Sequence, residues 1–211
     1  MDTRPRRERE KEEIQRRVLD AARELFALDG FEAVTMRKIA DRVEYTPTAL
    51  YFHFKDKREL FRRLCAEDFG ALAARFQVLS RVPDPLERLR MLGRGYIAFA
   101  LEHPHHYRLM FMAPGAPLES ESEEPASRRE RPEQGVHAFL LQACSEAIAA
   151  GRLRPEFTDS NLVAQTLWAG THGVAALAIA RQHDSWVDWR PIEERAGAMV
   201  DSLLRGLARE K

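Results

Sequence analysis

The chain has 211 residues, 45% of them hydrophobic and 31% charged, and its 33 Lys and Arg balance its 33 Asp and Glu. A chain of this size can bury a core, so one compact unit plus a smaller appendage is expected, and the composition excludes an intrinsically disordered chain. Zero net charge argues against a generic polyanion binder, while two cysteines far apart, Cys65 and Cys144, leave neither a disulfide framework nor a zinc ribbon. No apolar leader and no window of membrane-spanning length and purity is read, so the expected location is cytoplasmic, with no membrane partner.

The charge is unevenly placed: residues 1–63 hold 16 Lys and Arg against 13 Asp and Glu, and the basic excess falls where a nucleic-acid module would sit. Within that part Ile14, Val18, Ala21, Ala22, Leu25 and Phe26 recur at spacings of three and four, predicting a first helix that Gly30 closes. The residues before it, with Arg4, Arg6, Arg7, Arg9 and Lys11 interleaved with acids, read as a frayed, solvated helix start, with entry of this arm into the minor groove beside the third helix as the alternative. Thr35 offers a side-chain cap to a second helix over Met36–Arg42, with Val34 positioned to staple onto Ile39. Thr46 repeats the device, Pro47 takes the first position of a third helix of about two turns, and Tyr45 can staple onto Leu50. Asp56 and Glu59 resemble a capping box opening a long fourth helix toward Leu79.

Farther along, Asp84-Pro85, His103-Pro104, Arg131-Pro132 and Arg190-Pro191 each mark a helix start, and another helix is expected from about Asp159 to Ala180. No segment alternates with period two, so the fold class is all-α. Pro114–Gln134, rich in Pro, Glu, Ser and Arg, reads as a mobile loop between helices.

Two short helices joined by Val43-Glu44-Tyr45 have the spacing of a helix-turn-helix, in which the second helix enters the major groove of double-stranded DNA. Leu50 and Tyr45 are expected to face inward, leaving Thr46, Pro47, Thr48, Ala49 and Tyr51 outward near the start of the third helix. None is a long bidentate reader, so base preference is expected to lean on Arg37 and DNA shape as well. Thr35, Tyr51, His53, Lys55 and Lys57 are the candidates for gripping phosphates.

These same residues carry a family resemblance. Thr35-Met36-Arg37-Lys38-Ile39-Ala40 followed by Thr46…Ala49-Leu50-Tyr51-Phe52-His53-Phe54-Lys55-Asp56-Lys57-Arg58-Glu59-Leu60 resembles the signature of the TetR family of transcriptional regulators, over Ile14 to Leu64. The resemblance implies an Ω-shaped helical homodimer with a three-helix DNA-binding head, a divergent ligand-binding and dimerisation body, and derepression when a small molecule binds. The chain departs from the family where members usually carry glycine and it carries Glu44, and at Thr48 and Ala49. A non-glycine residue with positive φ at Glu44 would cost on the order of 1 kcal/mol. The expected division is a DNA-binding domain over 1–56 and a ligand-binding and dimerisation domain over 57–211.

In the body, small residues near Asp159–Ala180 and the apolar stripe of the last helix suit a four-helix homodimer interface. Trp168…Gly170…His172-Gly173 and Pro104…Tyr107-Arg108-Leu109-Met110-Phe111 resemble the body of one TetR subgroup. Phe99, His103, Tyr107, Met110, Phe111, Trp168 and His172 combine aromatic bulk with a few polar handles, as a pocket for a small apolar or amphipathic effector would. No cofactor and no catalytic constellation is expected. The function expected is a dimeric regulator, a repressor released from a palindromic operator by that effector. Two alternatives stand beside it: a metal-responsive regulator using the region of His103, His105 and His106, and a helical adaptor docking through Pro114–Gln134.

Overall fold

The structure, a computed structural model, describes residues 6–112 and 132–209. Nine α-helices occur among them: α1 (Arg6–Asp29), α2 (Met36–Arg42), α3 (Pro47–Tyr51), α4 (Lys57–Leu79), α5 (Pro85–Glu102), α6 (Pro104–Phe111), α7 (Pro132–Ala149), α8 (Ser160–Arg181) and α9 (Ile192–Leu207). The all-α class is as the periodicity predicts. Among the described residues the only extended pairing is an isolated bridge between Leu153 and Ala208.

The helix starts follow local chemistry. Asp84 accepts a hydrogen bond from the Leu86 N–H at 2.9 Å, with Pro85 behind it at the first helical position. Asp159 accepts from the N–H groups of Asn161 and Leu162 at the head of α8. Each such cap contributes about 1 kcal/mol. Pro191 instead stands one residue ahead of α9 and makes no side-chain cap. Two spans differ from the sequence reading. The segment read as a solvated start is helical from Arg6, and α3 has five residues instead of two turns, because the Leu50 carbonyl accepts from both His53 and Phe54 and tightens the chain there. Residues 114–131 of the expected loop lie outside the described residues, and its last three residues open α7.

The described residues form two compact units: 6–68 with 105–112, and 69–104 with 132–209. The division between the two units falls within α4, and α6 from His105 onward belongs to the first unit. In that unit the rings of Phe26, Phe31 and Phe61 meet at centroid distances of 5.6, 5.4 and 5.1 Å. Beside them Asp68, 1% exposed, receives Arg23 Nε at 3.0 Å and lies 2.9 Å from His106 Nδ1, joining α1, α4 and α6. A carboxylate that is buried this completely needs such partners to offset its lost hydration.

In the second unit α8 packs against α5, α7 and α9. By length and composition α8 is apolar enough to cross a membrane, contrary to the sequence reading. Val163, Ala164, Leu167, Val174, Ala175 and Ala178 are buried along it, so this apolar character also serves the core. Gly170 lets α9 close in: a Cβ there would lie 2.5 Å from Leu203 Cδ1. Arg90 and Arg94 of α5 reach Asp201 of α9 at 2.9 and 3.4 Å.

Candidate nucleic-acid interface

The first unit builds its outward corner from two capped helices and a tight turn. Thr35 Oγ1 accepts from the Lys38 N–H at 3.1 Å and Thr46 Oγ1 from the Ala49 N–H at 3.2 Å, so each threonine satisfies an N–H that its helix leaves free. Between the helices Glu44 has φ +61°, the left-handed conformation that glycine adopts most readily. The strain is held by two hydrogen bonds: Tyr45 N–H to Ala40 O at 2.9 Å and Glu44 N–H to Asp41 O at 3.3 Å, the Schellman arrangement for closing a helix. The turn is thus closed in a left-handed conformation by a residue that pays for it in backbone energy.

Leu50 and Phe54 are buried one turn apart and fix which side of α3 faces out. Thr46, Thr48 and Tyr51 are exposed, whereas Pro47 and Ala49 are half-buried. Phe52, 82% exposed, joins this surface. The sequence reading missed it, although burial of Leu50 and Phe54 at a spacing of four turns both Tyr51 and Phe52 outward. Tyr45, expected inward, is half-buried beneath the Arg17 guanidinium, whose carbon lies 5.7 Å from the ring centre.

The basic side chains of this unit divide by their engagements. Lys38 is bound to Asp29 at 2.7 Å and Arg42 to Glu24 at 2.8 Å. Lys57 Nζ donates to the Phe31 carbonyl at 2.7 Å. Arg37, Lys55 and Arg58 are exposed and have no side-chain partner among the described residues. Arg58 was not singled out in the sequence. At the head of α4, Asp56 Oδ1 accepts from the Glu59 N–H at 2.7 Å, and Glu59 returns to the Lys55 N–H at 2.6 Å, one residue ahead of an ordinary capping box. His53 is half-buried, with an Nδ1 that is enclosed and unpartnered; burial, and secondarily the charge of Lys11, hold its pKa below the usual imidazole value.

The expected effector residues fall in both units. Tyr107 and Met110 are buried and Phe111 half-buried in the first, with the Tyr107 and Phe111 rings 5.3 Å apart. In the second, His172 Nδ1 lies 3.0 Å from the hydroxyl of Tyr96, which also accepts from Trp168 Nε1 at 3.3 Å. Tyr96 was missed by the sequence reading, because nothing local marks a tyrosine of α5 as the partner of two residues on α8. Burial lowers the pKa of His172. His103 is exposed, its ring 5.1 Å from that of Phe99.

The metal-responsive alternative is not favoured. No group of three His, Cys, Asp or Glu side chains suited to a metal ion occurs among the described residues, and His106 is committed to Asp68.

A three-helix corner with a capped recognition helix, an unpaired cationic rim and an exposed polar face defines a helix-turn-helix DNA-binding protein. Residues 18–64 match the model of the bacterial regulatory proteins of the tetR family, and residues 89–203 match that of the tetracyclin repressor-like C-terminal domain. The chain belongs to the TetR family of transcription regulators. It is 28% identical to the HTH-type transcriptional repressor KstR2 of Mycolicibacterium smegmatis over 69% of this chain and 70% of that one. Among solved structures it resembles the regulator PfmR of Thermus thermophilus, with a TM-score of 0.71 and 23% identity over 91% of this chain and 99% of that one. It also resembles AibR, solved with isovaleryl coenzyme A and operator DNA, with a TM-score of 0.72 and 21% identity over 90% and 97% of the two chains.

Proposed function

We propose that this regulator is a homodimeric repressor that binds a palindromic operator through α3 and leaves it when a small apolar or amphipathic effector enters the body. The observation that carries the reading is the surface of α3: Thr46, Thr48 and Tyr51 stand exposed on a helix whose inward side is locked by Leu50. Thr48, Ala49 and Pro47 meet base edges, Arg37 adds a long donor, and Thr35, Thr46, Tyr51, His53 and Lys55 hold the sugar-phosphate backbone. Lys57 contributes by fixing the start of α4 on the Phe31 carbonyl. DNA binding is assigned to 1–56, and effector binding with dimerisation to 57–211.

Dimerisation is supported by one apolar side of the second unit. On α8, Leu162, Ala169 and Leu177 are exposed and Gly173 and Ala176 half-buried, all on one stripe; on α9, Ile192, Met199 and Leu203 are half-buried. Two such helices from each protomer make a four-helix interface. The effector is assigned to Phe99, His103, Tyr107, Met110, Phe111, Trp168 and His172, with Tyr96 added by its bonds to Trp168 and His172. That AibR, of the same fold, is described with an acyl coenzyme A and its operator supports the pairing of a small molecule with DNA in one chain of this kind.

Selection of duplexes from a random pool tests the reading. A two-fold symmetric sequence bound by two protomers is expected, with half-sites one helical turn or a multiple apart. Enrichment of no sequence, or binding by a single protomer to an asymmetric one, would contradict it.

A further inference from the structure

α1 overhangs its own core. From Arg6 to Glu13 every residue is exposed, and burial begins only with Ile14 and Val18. At about 100° per residue, Arg7, Lys11, Ile14 and Val18 fall within roughly 60° of one another, so two cations extend the side of the helix that packs on the head. The acids nearby are largely engaged or turned away: Glu10 is bound to Arg6 at 2.7 Å, Glu12 has its own partner, and Glu13 lies across the helix, leaving Glu8 on the flank of the stripe. Neither Arg7 nor Lys11 has an ion-pair partner among the described residues. Lys11 also stands close enough to act on His53, just past the end of α3, which places the stripe at the same corner as Tyr51 and Phe52.

From this geometry we infer that Arg7 and Lys11, on the helical overhang of α1, form a second phosphate clamp that grips the operator backbone beside the end of α3. The inference rests on the DNA-binding reading above and deepens it. A helix holds its cations at fixed spacing, so less side-chain and backbone order is lost on binding than a disordered basic tail would lose. The clamp neutralises phosphates and adds no base preference.

The test is the dependence of affinity on salt for the full chain and a duplex taken from the selection. The double variant Arg7→Gln/Lys11→Gln is expected to flatten the slope of log affinity against log salt by about 1.8, at about 0.9 per phosphate released, on matched and scrambled duplexes alike. Arg9→Gln/Arg16→Gln removes the same charge from the opposite side of α1 and is expected to leave the slope at the wild-type value. Circular dichroism confirms that both variants fold. A wild-type slope for the first variant, or equal flattening by both, overturns the clamp, the latter because only the general field then matters. A changed sequence preference overturns it too, since the residues then read bases. If the wild-type chain selects no duplex, the parent reading itself fails, and the clamp falls with it.

Discussion

Lys57 Nζ lies 2.7 Å from the carbonyl oxygen of Phe31 and 4.1 Å from the centre of the same residue's ring, so one ammonium closes the loop after α1 onto the first turn of α4. A charge-assisted hydrogen bond and a cation–π contact at a part-buried site contribute together about 1–2 kcal/mol. Lys57→Met is therefore expected to lower the urea midpoint while leaving the salt slope of DNA binding unchanged. Lys55→Met should do the reverse, flattening the slope by about 0.9 with little change in stability. Equal flattening by both would return Lys57 to the phosphate contacts.

Glu44 offers a second measurement. At φ +61° it carries strain that glycine does not, so Glu44→Gly is expected to raise stability by about 1 kcal/mol, reduced somewhat by the greater freedom of glycine in the unfolded chain. Glu44→Ala keeps the strain and gains nothing. Both variants remove a carboxylate from the DNA-binding corner, so both should bind all duplexes somewhat more tightly. Urea titration reads the first effect and binding to a scrambled duplex the second; a stability gain in the alanine variant would show that the turn is not strained.

The second unit makes two predictions about α8. Gly170→Val places a branched side chain where a single Cβ would already meet Leu203 Cδ1 at 2.5 Å and Met199 Sδ at 3.2 Å. Moving those side chains costs about 1–3 kcal/mol. Leu177→Asp lies on the exposed stripe and should leave the monomer folded while splitting the dimer, as read by sedimentation and circular dichroism. A dimer that survives the aspartate would move the interface elsewhere.

His172 sets a pH dependence. Its folded-state pKa is depressed by burial, so the unfolded chain binds the proton more readily. The resulting stability is fully present above the ordinary imidazole value of about 6.5 and is lost as the pH falls from there through the depressed folded value. His172→Gln is expected to flatten denaturation midpoints across that window and leave them unchanged at pH 8 relative to pH 7. An unaltered acid-side slope in the variant would assign the dependence to other groups.

Much of the architecture was legible because its causes are local. Thr35, Thr46 and Asp84 cap helices by reaching two or three residues ahead, and Pro47 and Pro85 sit where a missing N–H costs nothing. Glu44 was legible as a conflict between a left-handed position and a residue that resists it. The overhang of α1 was not, since it has no apolar side to set a period. Nor was the engagement of Lys57, whose partner carbonyl is 26 residues away, or the grouping of α6 with the first unit, which Asp68 and His106 help to hold. Tyr96 escaped for the same reason: its partners come from packing α5 on α8 and not from neighbours in the chain.

The most direct test of the central claim is the ratio of affinities for the selected duplex and its scrambled counterpart, measured at one salt concentration. Thr48→Ala and Arg37→Ala are predicted to lower that ratio, by about tenfold for a lost base contact. Tyr51→Ala and Lys55→Ala are predicted to weaken both duplexes equally and leave the ratio unchanged. Four variants with the same effect on both duplexes would contradict the assignment of α3 as the element that reads the operator.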